Sequence, residues 1–117
     1  MVINGAYMRD DIEKEIRRCA AEIRKVSTAS RIIVFGSSLD ERVRNPRDID
    51  LLVVIPDAEP FKETRRRILS IPRSGWPLDI IVVPAGFLEQ KIRESANFYA
   101  FVCQEGIEIG QDSKISA

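Results

Sequence analysis

Apolar positions along this chain fall into two periods. Ile12, Ile16, Cys19, Ala20, Ile23 and Val26 recur at helical spacing with charges between them, which predicts an amphipathic helix over residues 10–26. Asp10, Asp11 and Glu13 sit at its start, where they complement the helix dipole. Ser27 to Ser30 ends it. Residues 31–35 form a short apolar run after one charge, the pattern of a buried strand. Residues 49–55 and 78–83 repeat that pattern and stop at Pro56 and Pro84. A helix is predicted over residues 61–69, with Phe61, Ile68 and Leu69 inward. A turn is predicted over 72–77, around Gly75 and two prolines. Helical stretches follow over 87–92 and 97–104, the second with Phe98, Phe101 and Val102 on one face, and Gly106 as its stop. Ile107 and Ile109 flank Glu108 as a short edge strand. Residues 36–47 are polar and charged, with room for one short helix from Ser37 or Ser38 and a loop. Residues 111–117 read as a frayed tail.

Helices alternating with buried strands predict an α/β (α+β) fold, a small sheet of about four strands flanked by helices. At 117 residues the chain is one domain, 1–117. Hydrophobic residues make up 44%, enough for a core. Lys and Arg number 18, as do Asp and Glu, and this balance argues against coating nucleic acid by bulk electrostatics. Cys19 and Cys103 lie in apolar helical patterns and read as small buried hydrophobes. No cysteine framework, signal-peptide layout or membrane-length apolar run is present, so a cytoplasmic location is expected. The chain has no histidine, which removes a histidine base and histidine metal ligands from the chemistry.

The most informative stretch is Ile32-Ile33-Val34-Phe35-Gly36-Ser37-Ser38, followed by Asp48-Ile49-Asp50 and five more apolar residues. It is a strand ending in a small-residue turn, then a strand opening on two carboxylates. Residues two apart on a strand share a face, so Asp48 and Asp50 project together. Paired anions are costly without a cation between them, and Mg²⁺ takes oxygen ligands from one or two carboxylates plus substrate phosphates. Gly36 and Ser37 offer bare backbone to phosphate oxygens. Asp79 opens the otherwise apolar third strand. If that strand lies beside the Asp48 strand, three carboxylates meet at one sheet edge, a donor set for a two-metal site.

These motifs resemble the minimal nucleotidyltransferases of the DNA polymerase beta-like superfamily, whose pattern is a Gly-Ser turn, an Asp-X-Asp strand and a third acid on a later strand. The resemblance covers roughly residues 10–110. It implies a nucleotidyltransferase-like fold with a small mixed sheet carrying the site. It also implies transfer of a nucleoside monophosphate from a triphosphate, AMP from ATP, to a hydroxyl, with release of pyrophosphate. By the same resemblance, Gly36, Ser37 and Ser38 hold phosphates, and Asp48, Asp50 and Asp79 bind Mg²⁺ and carry catalysis. Many short members pair with a helical protein of the HEPN type, as the antitoxin half of a toxin–antitoxin pair; the acceptor is then a hydroxyl of that partner or of a small molecule. Specificity would come from such a partner or from a homodimer. Ser38-Leu39-Asp40-Glu41-Arg42 departs from the family's pattern, which often places a small residue, an arginine and a glycine after the Gly-Ser. Arg42, Arg44 and Arg47 are available to compensate. The departure favours the alternative of a binding module that neutralises a partner by contact and uses the acids weakly or not at all.

Other features have plainer readings. Arg65-Arg66-Arg67 shares its segment with Lys62 and Glu63 and reads as a solvated helix face rather than a phosphate contact. Phe98, Tyr99 and Phe101 are suited to stack a base, but at helical spacing they read as core. Trp76 either plugs the core beside the third strand or sits at a partner surface.

Overall fold

A computed structural model describes residues 2–3, 6–7, 10–28, 31–36, 48–95 and 97–110. Its elements are β1 (Val2–Ile3), β2 (Ala6–Tyr7), α1 (Asp10–Val26), β3 (Arg31–Phe35), β4 (Ile49–Ile55), α2 (Phe61–Leu69), β5 (Leu78–Pro84), α3 (Ala85–Glu94), α4 (Phe98–Glu105) and β6 (Ile107–Glu108). Every helix and strand predicted within the described residues from residue 10 onward is present. The small β1–β2 hairpin was not anticipated, because two-residue strands carry no periodicity. The expected short helix after Gly36 and the tail over 111–117 lie outside the described residues.

The main sheet runs β5-β4-β3-β6. β4 and β5 are parallel, whereas β3 is antiparallel to both β4 and β6. A parallel pair needs a crossover, and α2 lies on that crossover between β4 and β5. β4 is central, and six of its seven residues are buried; Asp50 is the exception. Period-two alternation divides its neighbours into two cores. On one face Ile12, Ile16, Cys19 and Ile23 of α1 and Ile68 of α2 pack on Ile32, Val34, Ile49, Leu51, Val53 and Ile55. On the other, Leu88 of α3 and Val102 of α4 pack on Ile33, Leu52, Val54 and Val83, with Phe35, Ile81 and Tyr99 partly buried beside them. The result is helices, sheet and helices in three layers.

Trp76 is partly buried against the first core, so it packs beside the third strand. Cys19 is fully buried, and burial, then the charge of Glu15, pushes its thiol up to about 11, which makes it inert at neutral pH. The three arginines 65–67 are exposed, and Arg66 pairs with Glu63 at 2.7 Å. Two inward assignments are corrected. In α2 the buried residues are Thr64 and Ile68, while Phe61 is 38% exposed. Phe61 lies on the same stripe, three residues before Thr64 and seven before Ile68, but it is the first residue of the helix. In α4 Val102 is buried, but Phe98 and Phe101 are exposed by 46% and 62%. The inward stripe is Tyr99, Val102 and Cys103, and Phe98 and Phe101 lie outside it.

Polar ties fasten the layers. Glu15, on α1, accepts from Arg18 Nε at 2.7 Å and Nη2 at 2.9 Å, and from the Ser74 hydroxyl in the turn before β5. The Arg18 hydrogen bonds hold its carboxyl below the ordinary range. Stability from this group is therefore fully present above the ordinary glutamate value, near 4.3, and is lost as pH falls through its lowered value. Glu15→Ala should cost roughly 1.5–3 kcal/mol at neutral pH, and the difference from the parent should shrink as the pH drops below about 4. Urea denaturation across that range measures both; a constant difference would disprove the linkage.

Candidate active site

The site follows from strand register. β3 ends, and β4 and β5 begin, at the same edge of the sheet. Phe35 pairs with Asp50 across the antiparallel ladder, and Asp50 pairs with Asp79 across the parallel one. Directly paired residues point to the same face. Alternation places Asp50 with Leu52 and Val54, Asp79 with Ile81 and Val83, and Phe35 with Ile33. This is the face that α3 and α4 cover. The Ile49 N–H donates to the Pro77 carbonyl at 3.0 Å, which extends the β4–β5 alignment beyond the start of the paired strands and brings Asp48 to the same edge.

Asp48 and Asp50 are half-buried and Asp79 is exposed. Burial raises the Asp50 carboxyl above its ordinary value, and the negative charges of Asp79 and then Asp48 raise it further. Asp50 thus feels both of the other acids, as a like charge between them must. Gly36 closes the site from the β3 side. Its φ is +84°, the left-handed region that favours glycine, and a Cβ there would overlap Asp50 Oδ2. The backbone of the turn therefore lies directly against the Asp50 carboxylate. The two ends of the Gly36-to-Asp48 stretch are at one place, although Ser37 and Ser38 lie outside the described residues, as do Arg42, Arg44 and Arg47.

Among the described residues, no three His, Cys, Asp or Glu side chains stand gathered as a ready-made metal site. The chemistry of the donor set nevertheless suits a hard divalent cation. Carboxylate oxygens are what such ions take, and the acids share one edge with mutual repulsion for a cation to relieve.

An aromatic chain adjoins the acids, and the inward reading of α4 missed it. Phe35, the partner of Asp50, meets the Phe98 ring edge-on with centroids 5.6 Å apart. Phe98 in turn meets Tyr99 at 5.3 Å, and Tyr99 meets Phe87 of α3 at 5.2 Å. Asn97 caps α4, its Oδ1 accepting from the Ala100 N–H at 3.0 Å, and its Nδ2 donates to the Lys91 carbonyl at 2.6 Å. The signal in the sequence was three aromatics within four residues, too many for one inward stripe of an eight-residue helix.

No helix among the described residues is long and apolar enough to cross a membrane. Neither a curated protein nor a solved structure matches the chain. A family model described as nucleotidyltransferase domain matches residues 13–104, a span from the first turn of α1 to the last turn of α4 that includes Gly36, Asp48, Asp50 and Asp79. With most of its length matched and a four-stranded mixed sheet between helices, the chain belongs to the nucleotidyltransferase domain family.

Proposed function

We propose that this domain transfers a nucleoside monophosphate, AMP from ATP, to a hydroxyl of a partner protein or small molecule. The observation that carries this reading is the register of β4: Asp50 stands between Phe35 and Asp79, with the Gly36 backbone against its carboxylate. Membership of the family supports nucleotidyl transfer in general; the acids and the turn support a metal-bound triphosphate at this edge.

In this reading Asp48, Asp50 and Asp79 hold Mg²⁺, and Gly36, Ser37 and Ser38 hold the phosphates. The metal, when bound, neutralises the triphosphate and lowers the pKa of the attacking hydroxyl. The acceptor oxygen bonds to the α-phosphorus, the bond to the bridging oxygen of the β-phosphate breaks, and pyrophosphate leaves. The hydroxyl proton passes to a carboxylate. Asp79, as the most exposed of the three acids, is the one placed to meet an acceptor arriving from solvent. The half-buried position of Asp50 would keep water from shielding the charge it offers to the metal. A helical protein partner in the cytoplasm, neutralised as an antitoxin neutralises its toxin, is the acceptor this reading favours.

The test is label transfer from ATP labelled on its α-phosphate, with Mg²⁺ and host lysate. A labelled protein or small molecule is expected. No transfer, together with a stable partner recovered from the same lysate, would replace this reading by the second one, a binding module. The acids Asp40 and Glu41, in the run that departs from the family pattern, are what favour that second reading.

A further inference from the structure

Phe98 and Phe101 are the most exposed large apolar side chains among the described residues, and nothing in the proposed chemistry yet uses them. With Asn97, Ala100 and Gln104 they line an open groove of about 450 Å³, within the size range of small-molecule sites. Three observations say what belongs there. The groove adjoins the strand that meets the acids, because the Phe98 ring in its wall packs edge-on against Phe35 with centroids 5.6 Å apart, and Phe35 is the strand partner of Asp50. Among the described residues its lining carries no charge, so it suits the uncharged end of a ligand whose charged end lies at Gly36 and the acids. Its rim carries the Gln104 amide, which has both donors and an acceptor for the edge of a base. The Asn97 amide is already committed to Ala100, Lys91 and Ser95, and so holds the wall in place rather than reading a ligand.

We propose that the outer face of α4 is the platform for the heteroaromatic base of the nucleotide. Phe101 and Phe98 stack the base, and Gln104 meets its edge. The assignment rests on the triphosphate reading of the Gly36 and Asp50 site. It makes α4 the specificity element of this domain. Phosphates at Gly36 and a base on α4 place the ribose over Phe35, beside the acids where the α-phosphate must react.

The experiment is equilibrium binding of ATP and of inorganic tripolyphosphate, each with Mg²⁺, to the parent protein, Phe101→Ala and Phe101→Trp. The Phe101 ring is 62% exposed, so its loss leaves both cores intact. The parent should bind ATP more tightly than tripolyphosphate. Phe101→Ala should weaken ATP roughly five- to a hundredfold, the range of one lost base–aromatic stack, and leave tripolyphosphate unchanged. Phe101→Trp should retain ATP. If the parent binds ATP and tripolyphosphate alike and Phe101→Ala changes neither, the platform is overturned and the phosphate site stands. Binding of neither by the parent overturns the phosphate site and the platform with it. If Phe101→Ala dissociates a homodimer in sedimentation while its preference for ATP persists, α4 is an interface between copies and the platform is overturned.

Discussion

Asp50→Asn is expected to abolish label transfer from ATP, by on the order of a thousandfold or more, the scale of losing the charge stabilisation supplied by the cation it would hold. The substitution preserves shape and removes one negative charge from the centre of the acid edge. It should not damage the fold, because Asp50 is the one residue of β4 outside the cores. It should even raise stability in metal-free buffer. Burial and the charges of Asp79 and Asp48 raise the Asp50 carboxyl in the folded state, so the folded protein is penalised once that group must ionise. The penalty is absent below the ordinary aspartate value, near 3.9, and grows as pH rises from there through the raised value. Thermal melts in chelator should therefore show Asp50→Asn above the parent at neutral pH and level with it near pH 3. A variant that keeps full transfer would remove Asp50 from the chemistry, and one that unfolds would mean the carboxylate is a structural group.

Gly36→Ala is expected to be nearly as severe, from the addition of one methyl group. Two effects combine. A side chain at φ +84° is strained by about 1–3 kcal/mol, and the new Cβ overlaps Asp50 Oδ2. The turn cannot easily retreat, because Phe35 just before it is paired in the ladder opposite Asp50. The carboxylate must yield instead, and displacement of a reacting group by about 1 Å costs roughly a hundredfold in rate. Activity should fall more than stability does. Melting and label transfer on the same preparation separate the two, and an Ala variant with parental turnover would show that Asp50 works from a position it does not occupy here.

Much of this architecture could be read along the chain, for identifiable reasons. β3 and β4 are bounded by a polar segment and by Pro56, and their apolar runs leave no other element possible. α1 declares itself because its buried positions, Ile12, Ile16, Cys19, Ala20 and Ile23, alternate with charges at one period over 17 residues. α4 was legible as a helix but not in orientation. Eight residues are two turns, and with Phe98, Tyr99, Phe101 and Val102 all apolar, any of several stripes was compatible with helical spacing. Which one faces the sheet is decided downstream, by Gly106. A Cβ there would meet Ile33 and the carbonyls of Val34 and Val102, so only glycine lets the chain turn this tightly into β6 and pin α4 over Ile33.

The candidate site divides in the same way. Strand alternation is a local property of the backbone, so the shared face of Asp48 and Asp50 and the isolation of Asp79 at the head of an apolar strand followed from the residues themselves. That Asp79 stands opposite Asp50 did not. It depends on β5 lying beside β4 in parallel, at the register Asp50 to Asp79, and no local preference encodes the pairing of strands 29 positions apart. The same holds for Gly36 against the Asp50 carboxylate and for Phe98 against Phe35. The chain alone determined the elements and the identity of the acids, since propensity and periodicity act between near neighbours. Tertiary structure alone decided which acids meet, and that an aromatic face stays open beside them, because those outcomes come from hydrogen-bonded ladders and packing between residues far apart in sequence.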